Sequence, residues 1–215
     1  MADLNTKQKI LHASIQLFNE NGLANVRLQQ IADEIGISVG NLAYHFKNKE
    51  AIVGAVNENL HEEVIEILAA YRLFPNLIDF DYQLSKYHAF VEKYPFYFLD
   101  LLEIERMSPA VHSTRQQHIN KMISQIRKRL DFNQRRGIIK PEPRSGIYDT
   151  LATSIWGMIS FWHAQNAARG ITCNSAGRFK EMVWNLIYPH FTKLGIAEFE
   201  QLILPLIKEQ PGLSS

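Results

Sequence analysis

Small, polar and hydrogen-bonding residues gather in one short stretch of the chain: Gly40, Asn41, Tyr44 and His45, followed at once by Lys47 and Lys49. A carboxamide offers a donor and an acceptor to the edge of an adenine, a phenol or an imidazole can reach a base or a phosphate, and an ammonium meets phosphate as a point charge. In the same run Val39, Leu42, Ala43 and Phe46 recur at helical spacing, so a helix over residues 39–46 that buries those four turns the first set outward. That outer face is small and polar, as suits a surface lying in a DNA major groove. Asn41 is the candidate base contact. Ser38 and Val39 at the helix start, with Gly40, Tyr44 and His45, complete the expected DNA-facing set.

The neighbouring elements must hold that helix in place. Leu28, Ile31, Ala32 and Ile35 form the apolar stripe of a preceding short helix. Gly36 follows where a helix end takes a left-handed residue, and the Ser38 hydroxyl can then satisfy an unpaired N–H of the next helix. Asn48 is placed to cap a third helix. Lys49 falls in the first turn of that helix, where the dipole disfavours a cation unless an anion such as phosphate is close. Arg27 stands where a cap would be expected; it cannot cap but can reach a phosphate, which leaves Asn25 to supply the cap. Gln29, on the outside of the second helix, joins the expected DNA-facing residues. An amphipathic helix over residues 6–21, with Ile10, Ala13, Ser14, Leu17 and Phe18 inward, packs behind the pair. Residues 1–5 form an arm ahead of it.

The run IADEIGIS-VGNLAYHF-KNKEAIV resembles the N-terminal DNA-binding domain of the TetR (tetracycline-repressor) family over residues 6–53, without gaps. The turn glycine, cap serine, Gly40, the Tyr-His-Phe run and the following Lys-Glu all stand at the family spacing. The resemblance implies an all-α protein: a three-helix helix-turn-helix head over residues 1–50, then a helical body over residues 51–215 that binds a small ligand and dimerises. The chain departs from the pattern at Asn41, where a threonine is usual, and at Ala43, where an aromatic is common.

Charge alone does not single out nucleic acid, since 23 Lys and Arg face 22 Asp and Glu in 215 residues, a net of +1. Local basic clusters have to act instead, and binding should need two heads and be salt-sensitive. The single Cys173 excludes an intramolecular disulfide and a cysteine-based zinc site, and reads as an inert thiol. No run is apolar enough to serve as a signal peptide or to span a membrane, so a cytoplasmic protein is expected. His88, His112 and His118 lack partners at metal-ligand spacing, and there is no glycine-rich phosphate loop or nucleophile elbow. No catalytic residue, metal or cofactor is therefore assigned.

Beyond the head, helical patterns cover residues 48–72, 82–94, 96–107, 111–136, 147–169 and 177–194, the last kinked at Pro189, with a shorter one after it. Residues 73–81 read as a loop and IIKPEPRSG as the clearest connector. Lys121, Lys128 and Arg129 are expected outside their helix, and the tail beyond Gln210 is expected to be disordered. Leu151, Ile155, Trp156, Met158, Ile159, Phe161 and Trp162 cover more than one side of the 147–169 helix, which then needs two partners. One is this chain's core. The other is a second copy, giving a homodimer through the C-terminal helices. An effector site for a small apolar or aromatic molecule is expected at Phe98, Leu102, Met107, Ile126, Trp156, Ile159, Trp162 and His163, with Glu103 and Arg106 as further polar candidates. The reading is a repressor that leaves a palindromic double-stranded DNA operator on binding this effector. The alternatives are a ligand-independent regulator or activator, and a helical dimer whose head docks on protein; the latter would show apolar anchors where Gly40, Asn41 and His45 stand.

Overall fold

The computed structural model describes residues 5–71, 73–107, 109–171 and 175–208. The expectations for Cys173, the N-terminal arm before Asn5 and the tail beyond Gln210 lie outside them. The described residues form twelve α-helices and two short 3-10 turns, and their one pair of bridged extended residues is Ile139 with Phe191. The chain divides into two compact units, Met1–Val64 with Tyr94–Gln116, and Ile65–Lys93 with Gln117–Ser215.

In the first unit, α1 (Thr6–Asn21) begins at a reciprocal cap: Asn5 Oδ1 accepts the Gln8 N–H at 2.9 Å, and Gln8 Oε1 accepts the Asn5 N–H at 3.1 Å. It buries Ile10, Leu11, Ala13 and Phe18. A 3-10 turn (Leu23–Asn25) leads to α2 (Leu28–Glu34), then α3 (Val39–His45) and α4 (Lys49–Ala69), where Ile52, Val56, Leu60 and Val64 are buried. The expected cap of α2 is corrected. Asn25 Nδ2 donates to the Asn21 carbonyl, and it is Gln30 that receives the Arg27 N–H at 2.7 Å. The 96–107 helix is also two: α6 (Pro95–Leu99) and α7 (Leu101–Met107) part at Asp100. Proline at the first position suits α6, because its missing N–H would have had no partner there. Glu63 is half-buried and accepts from the Tyr94 hydroxyl.

In the second unit α5 (Leu77–Lys93) starts within the expected loop. Asn76 Oδ1 accepts the Asp79 N–H at 2.9 Å, a cap that lets the helix begin right after Pro75. The early start brings Asp79 and Asp81 into the interior, where each meets a cation. Arg129 of α8 (Pro109–Arg135) reaches Asp79 at 2.8 Å, and Lys180 of α10 (Ala176–Ile187) reaches Asp81 at 2.8 Å. Arg129 is thus 2% exposed rather than outside, its guanidinium lying over the rings of Tyr71 and Phe80. The Trp184 indole donates to the other Asp81 oxygen at 3.1 Å. Around it pack Phe80, Phe191 and Phe199, with ring centroids 5.5 to 6.4 Å away.

The 177–194 pattern stops at Ile187 instead of kinking. Pro189 sits in a 3-10 turn (Tyr188–His190), after which Thr192 caps α11 (Lys193–Leu202), followed by α12 (Leu204–Lys208). Gly195 is required here, because a Cβ on it would lie 2.1 Å from the Ile138 carbonyl oxygen. α9 (Ile147–Ala168) buries Tyr148, Ala152, Ile155, Ile159 and Trp162, while Phe161 is 55% exposed.

Candidate nucleic-acid interface

α2 ends as its sequence requires. Gly36 takes φ 69°, a conformation open to a residue without Cβ, and the Ile37 N–H folds back onto the Ala32 carbonyl at 3.0 Å. Ser38 Oγ then accepts the Asn41 N–H at 3.1 Å, and α3 starts. Leu42 is fully buried and Phe46 nearly so, with the Lys7 ammonium 5.5 Å from the Phe46 ring. Two members of the expected inner stripe are corrected: Val39 is half-buried and Ala43 is exposed. In a two-turn helix one residue dominates the buried side, and Ala43 stands about 100° round from Leu42.

The structure brings the outward-facing candidates together on α3. Gly40, Asn41 and Tyr44 are exposed, Tyr44 by 86%, and the Tyr44 and His45 rings meet edge to face at 5.3 Å. Lys47 is exposed just beyond the helix, Ser38 just before it, and Arg27 and Gln29 on the start of α2. Gln29 Nε2 is already engaged by Asp33 at 2.6 Å. A backbone held by a glycine turn and a serine cap thus carries hydrogen-bonding side chains that no core contact claims.

Lys49 is placed differently. It is half-buried, and its ammonium donates to the Leu23 carbonyl. The Leu23 N–H donates to the Asp100 carboxylate at 2.7 Å, so both polar groups of this turn residue are held by side chains. Burial lowers the Lys49 pKa, opposed by the nearby Glu103, Glu50 and Asp100. The Lys49 ammonium is held by the Leu23 carbonyl in the field of nearby carboxylates of the protein, and Lys49 ties the turn before α2. The Phe96 N–H reaches Asn19 Oδ1 at 3.3 Å, and Phe96 packs on Phe18. Sequence reasoning missed Asp100 and Asn19, since each acts on a partner 77 residues away and no local pattern marks such a pair.

The expected effector residues fall in both units. Phe98 and Met107 are half-buried and Leu102 is 64% exposed in the first unit, where Glu103 faces Arg106 at 3.8 Å. In the second, Ile126 lines a void of about 10 Å³ with Phe80, Leu130 and Trp184. Ile159, Trp162 and His163 are buried, and Trp156 is half-buried with its ring 5.5 Å from Tyr87. His163 Nε2 lies 3.2 Å and His88 Nε2 3.7 Å from one oxygen of Glu92. Burial, helped by the charge of His88, lowers the His163 pKa, and burial raises that of Glu92. Among the described residues no group of three His, Cys, Asp or Glu is arranged to hold a metal ion, and no helix is long and apolar enough to cross a membrane.

A glycine-turned helix pair with a polar outer face, carried on a helical body, defines a helix-turn-helix DNA-binding protein. Residues 10–56 match the model of bacterial regulatory proteins of the tetR family, and residues 58–199 a TetR model described as a bacterial transcriptional repressor. The chain belongs to the TetR family of bacterial transcriptional regulators, a family of DNA-binding proteins and not of enzymes. Among curated relatives, the transcriptional regulator RutR of Escherichia coli K12 is 38% identical over 66 residues, 31% of each chain. YerO of Bacillus subtilis 168 is 47% identical over 47 residues, 22% of this chain and 16% of YerO. The alignments therefore span less than a third of these relatives. A TetR-family regulator from Marinobacter aquaeolei VT8 superposes with a TM-score of 0.83 at 26% identity, over 95% of this chain and 98% of its own. A regulator from Saccharomonospora viridis in complex with choline shares the fold, with a TM-score of 0.66 at 18% identity over 85% and 95% of the two chains.

Proposed function

We propose that the chain is a homodimeric repressor that grips a palindromic operator with two copies of α3 and is released by a small apolar or aromatic ligand. The observation that carries the reading is the outer face of α3: an 86% exposed Tyr44 beside exposed Asn41 and Gly40, on a helix whose backbone is fixed at its start. Asn41 reads a base. Ser38, Val39, Gly40, Tyr44 and His45 pack along the groove, and Arg27, Gln29 and Lys47 meet backbone phosphates. Dimerisation uses the outer sides of α9 and α10, where Phe161 is 55% and Met182 38% exposed, helices whose inner sides are already buried. Two-fold symmetry then sets the heads about one DNA turn apart.

The ligand is held in the second unit beside Trp156, Ile159, Trp162 and His163. Two features support this. Trp162 Nε1 is buried without a hydrogen-bond partner, and aromatic rings cluster there, Tyr87 on Trp156 and Trp162 on Phe179. A structural neighbour in complex with choline is consistent with a small organic molecule in this fold. To clear the operator the ligand must bind the released state far better than the DNA-competent one. The test is footprinting of the protein on genomic fragments that it selects, followed by transcription from the same fragment. Two half-sites related by a dyad about 10 base pairs apart, and reduced transcription, are expected. An unsymmetrical single site, or transcription that rises on binding, would overturn the repressor reading.

A further inference from the structure

The first unit contains a buried cation to which no side chain among the described residues supplies a counter-charge. Arg115, in the early turns of α8, is 5% exposed. Its guanidinium carbon lies over the Tyr97 ring of α6, 3.8 Å from the centroid. Nη2 donates to the Tyr97 carbonyl at a long 3.3 Å, and Nε is buried with no partner. Of the carboxylates that follow Tyr97 in the chain, Asp100 accepts the Leu23 N–H, Glu103 lies 3.8 Å from Arg106, and Glu105 lies 3.2 Å from His112. Among the described residues no carboxylate pairs with Arg115.

An arginine does not shed its proton when buried, so the charge must be answered by something else. Stacking on Tyr97 offsets part of the cost through the ring's negative face, but it leaves the buried Nε–H unmet. A water could satisfy Nε but not the charge. An unmet buried donor in a folded protein points to a missing partner, and the fork of a guanidinium matches two oxygens of one anion. Stacking on Tyr97 fixes the plane of that fork. We propose that Arg115, held flat on Tyr97, anchors an oxyanion site in the first unit, one that takes the carboxylate or phosphate group of a small organic molecule. The site stands apart from the ligand-release reading, so either can fail alone.

Thermal unfolding of the full chain at fixed ionic strength tests it, with sodium octanoate and inorganic phosphate as probes and chloride as the control. At about a hundred times its Kd, a bound anion should raise the wild-type Tm by about 5 to 10 °C. A shift with octanoate alone identifies a carboxylate, and one with phosphate alone a phosphate. Arg115→Met should lose the shift while unfolding, without anion, no lower than wild type, because it removes an uncompensated charge. Arg115→Lys keeps the charge without the fork and should lose most of the shift. The proposal is overturned if neither probe shifts the wild type, if both variants shift as the wild type does, or if Arg115→Met unfolds well below wild type without anion. The last result would make Arg115 a structural residue that serves the Tyr97 carbonyl.

Discussion

The outer face of α3 and the interior around α5, α8 and α10 treat polar side chains in opposite ways. On α3 the protein spends its hydrogen bonds on the backbone, at Gly36 and Ser38, and leaves Asn41 and Lys47 exposed. In the second unit the side chains themselves are paired: Asp79 with Arg129, and Asp81 with both Lys180 and Trp184, all at most 5% exposed. A charge withdrawn from water must be answered within the fold, whereas a surface meant for a partner must keep its donors unanswered until the partner arrives. Lys49 and Lys47 stand two residues apart and fall on opposite sides of this division.

The strongest way to break the comparison is to remove one member of a buried pair. Lys180→Met should cost about 3 to 5 kcal/mol in denaturant unfolding by leaving the Asp81 charge buried without a cation, and Asp81→Asn in the same chain should recover a good part of it. A cost under about 1 kcal/mol would mean that water already reaches Asp81. On α3 the expectation is reversed: Asn41→Ala should leave unfolding unchanged and weaken the cognate operator by about 1 to 3 kcal/mol, with little effect on other DNA. Equal loss on all sequences would remove Asn41 from base reading. Lys47→Ala should weaken every sequence alike and lower the salt slope by about 1, whereas Lys49→Ala should show itself in stability. Ser38→Ala lies between the two regions, since it loosens the backbone that presents α3; about 1 kcal/mol of stability should be lost.

The smallest expected effect is a pH dependence. His163 has its pKa lowered in the fold, so its contribution to stability is fully present above the unfolded value near 6.5 and is lost as pH falls below it. Glu92, raised above 4.5, acts in the opposite sense, losing stability as pH rises through its shifted range. His163→Gln should therefore flatten the fall in Tm below pH 6.5, and an unchanged profile would assign that fall to other groups.

Much of the head was legible because its determinants are local. The bounds of α1, the turn at Gly36 and the caps at Ser38 and Asn48 all depend on residues within about one helical turn of each other. What escaped depends on distance along the chain. Asp100 serves a turn 77 residues away, and Asp81 and Lys180 are 99 apart, so neither pairing leaves a pattern in the sequence around it. Lys49 was misread because the sequence tells that an anion belongs near a helix start, but not whether DNA or the fold provides it. The start of α5 departs from expectation for a related reason: residues 73–81 read as a loop, although Asn76 within them caps a helix that begins at Leu77.

The central claim, that α3 reads DNA as one of a pair, is tested most directly by titrating the purified full chain against its own upstream intergenic DNA and a scrambled control. The titration is run at two salt concentrations, with the mass of the complex measured alongside. Tight binding by a dimer, selective for the upstream DNA and falling steeply with salt, is the predicted result. A ligand-free dimer that bound that DNA, every other genomic fragment and the scrambled control equally would contradict it.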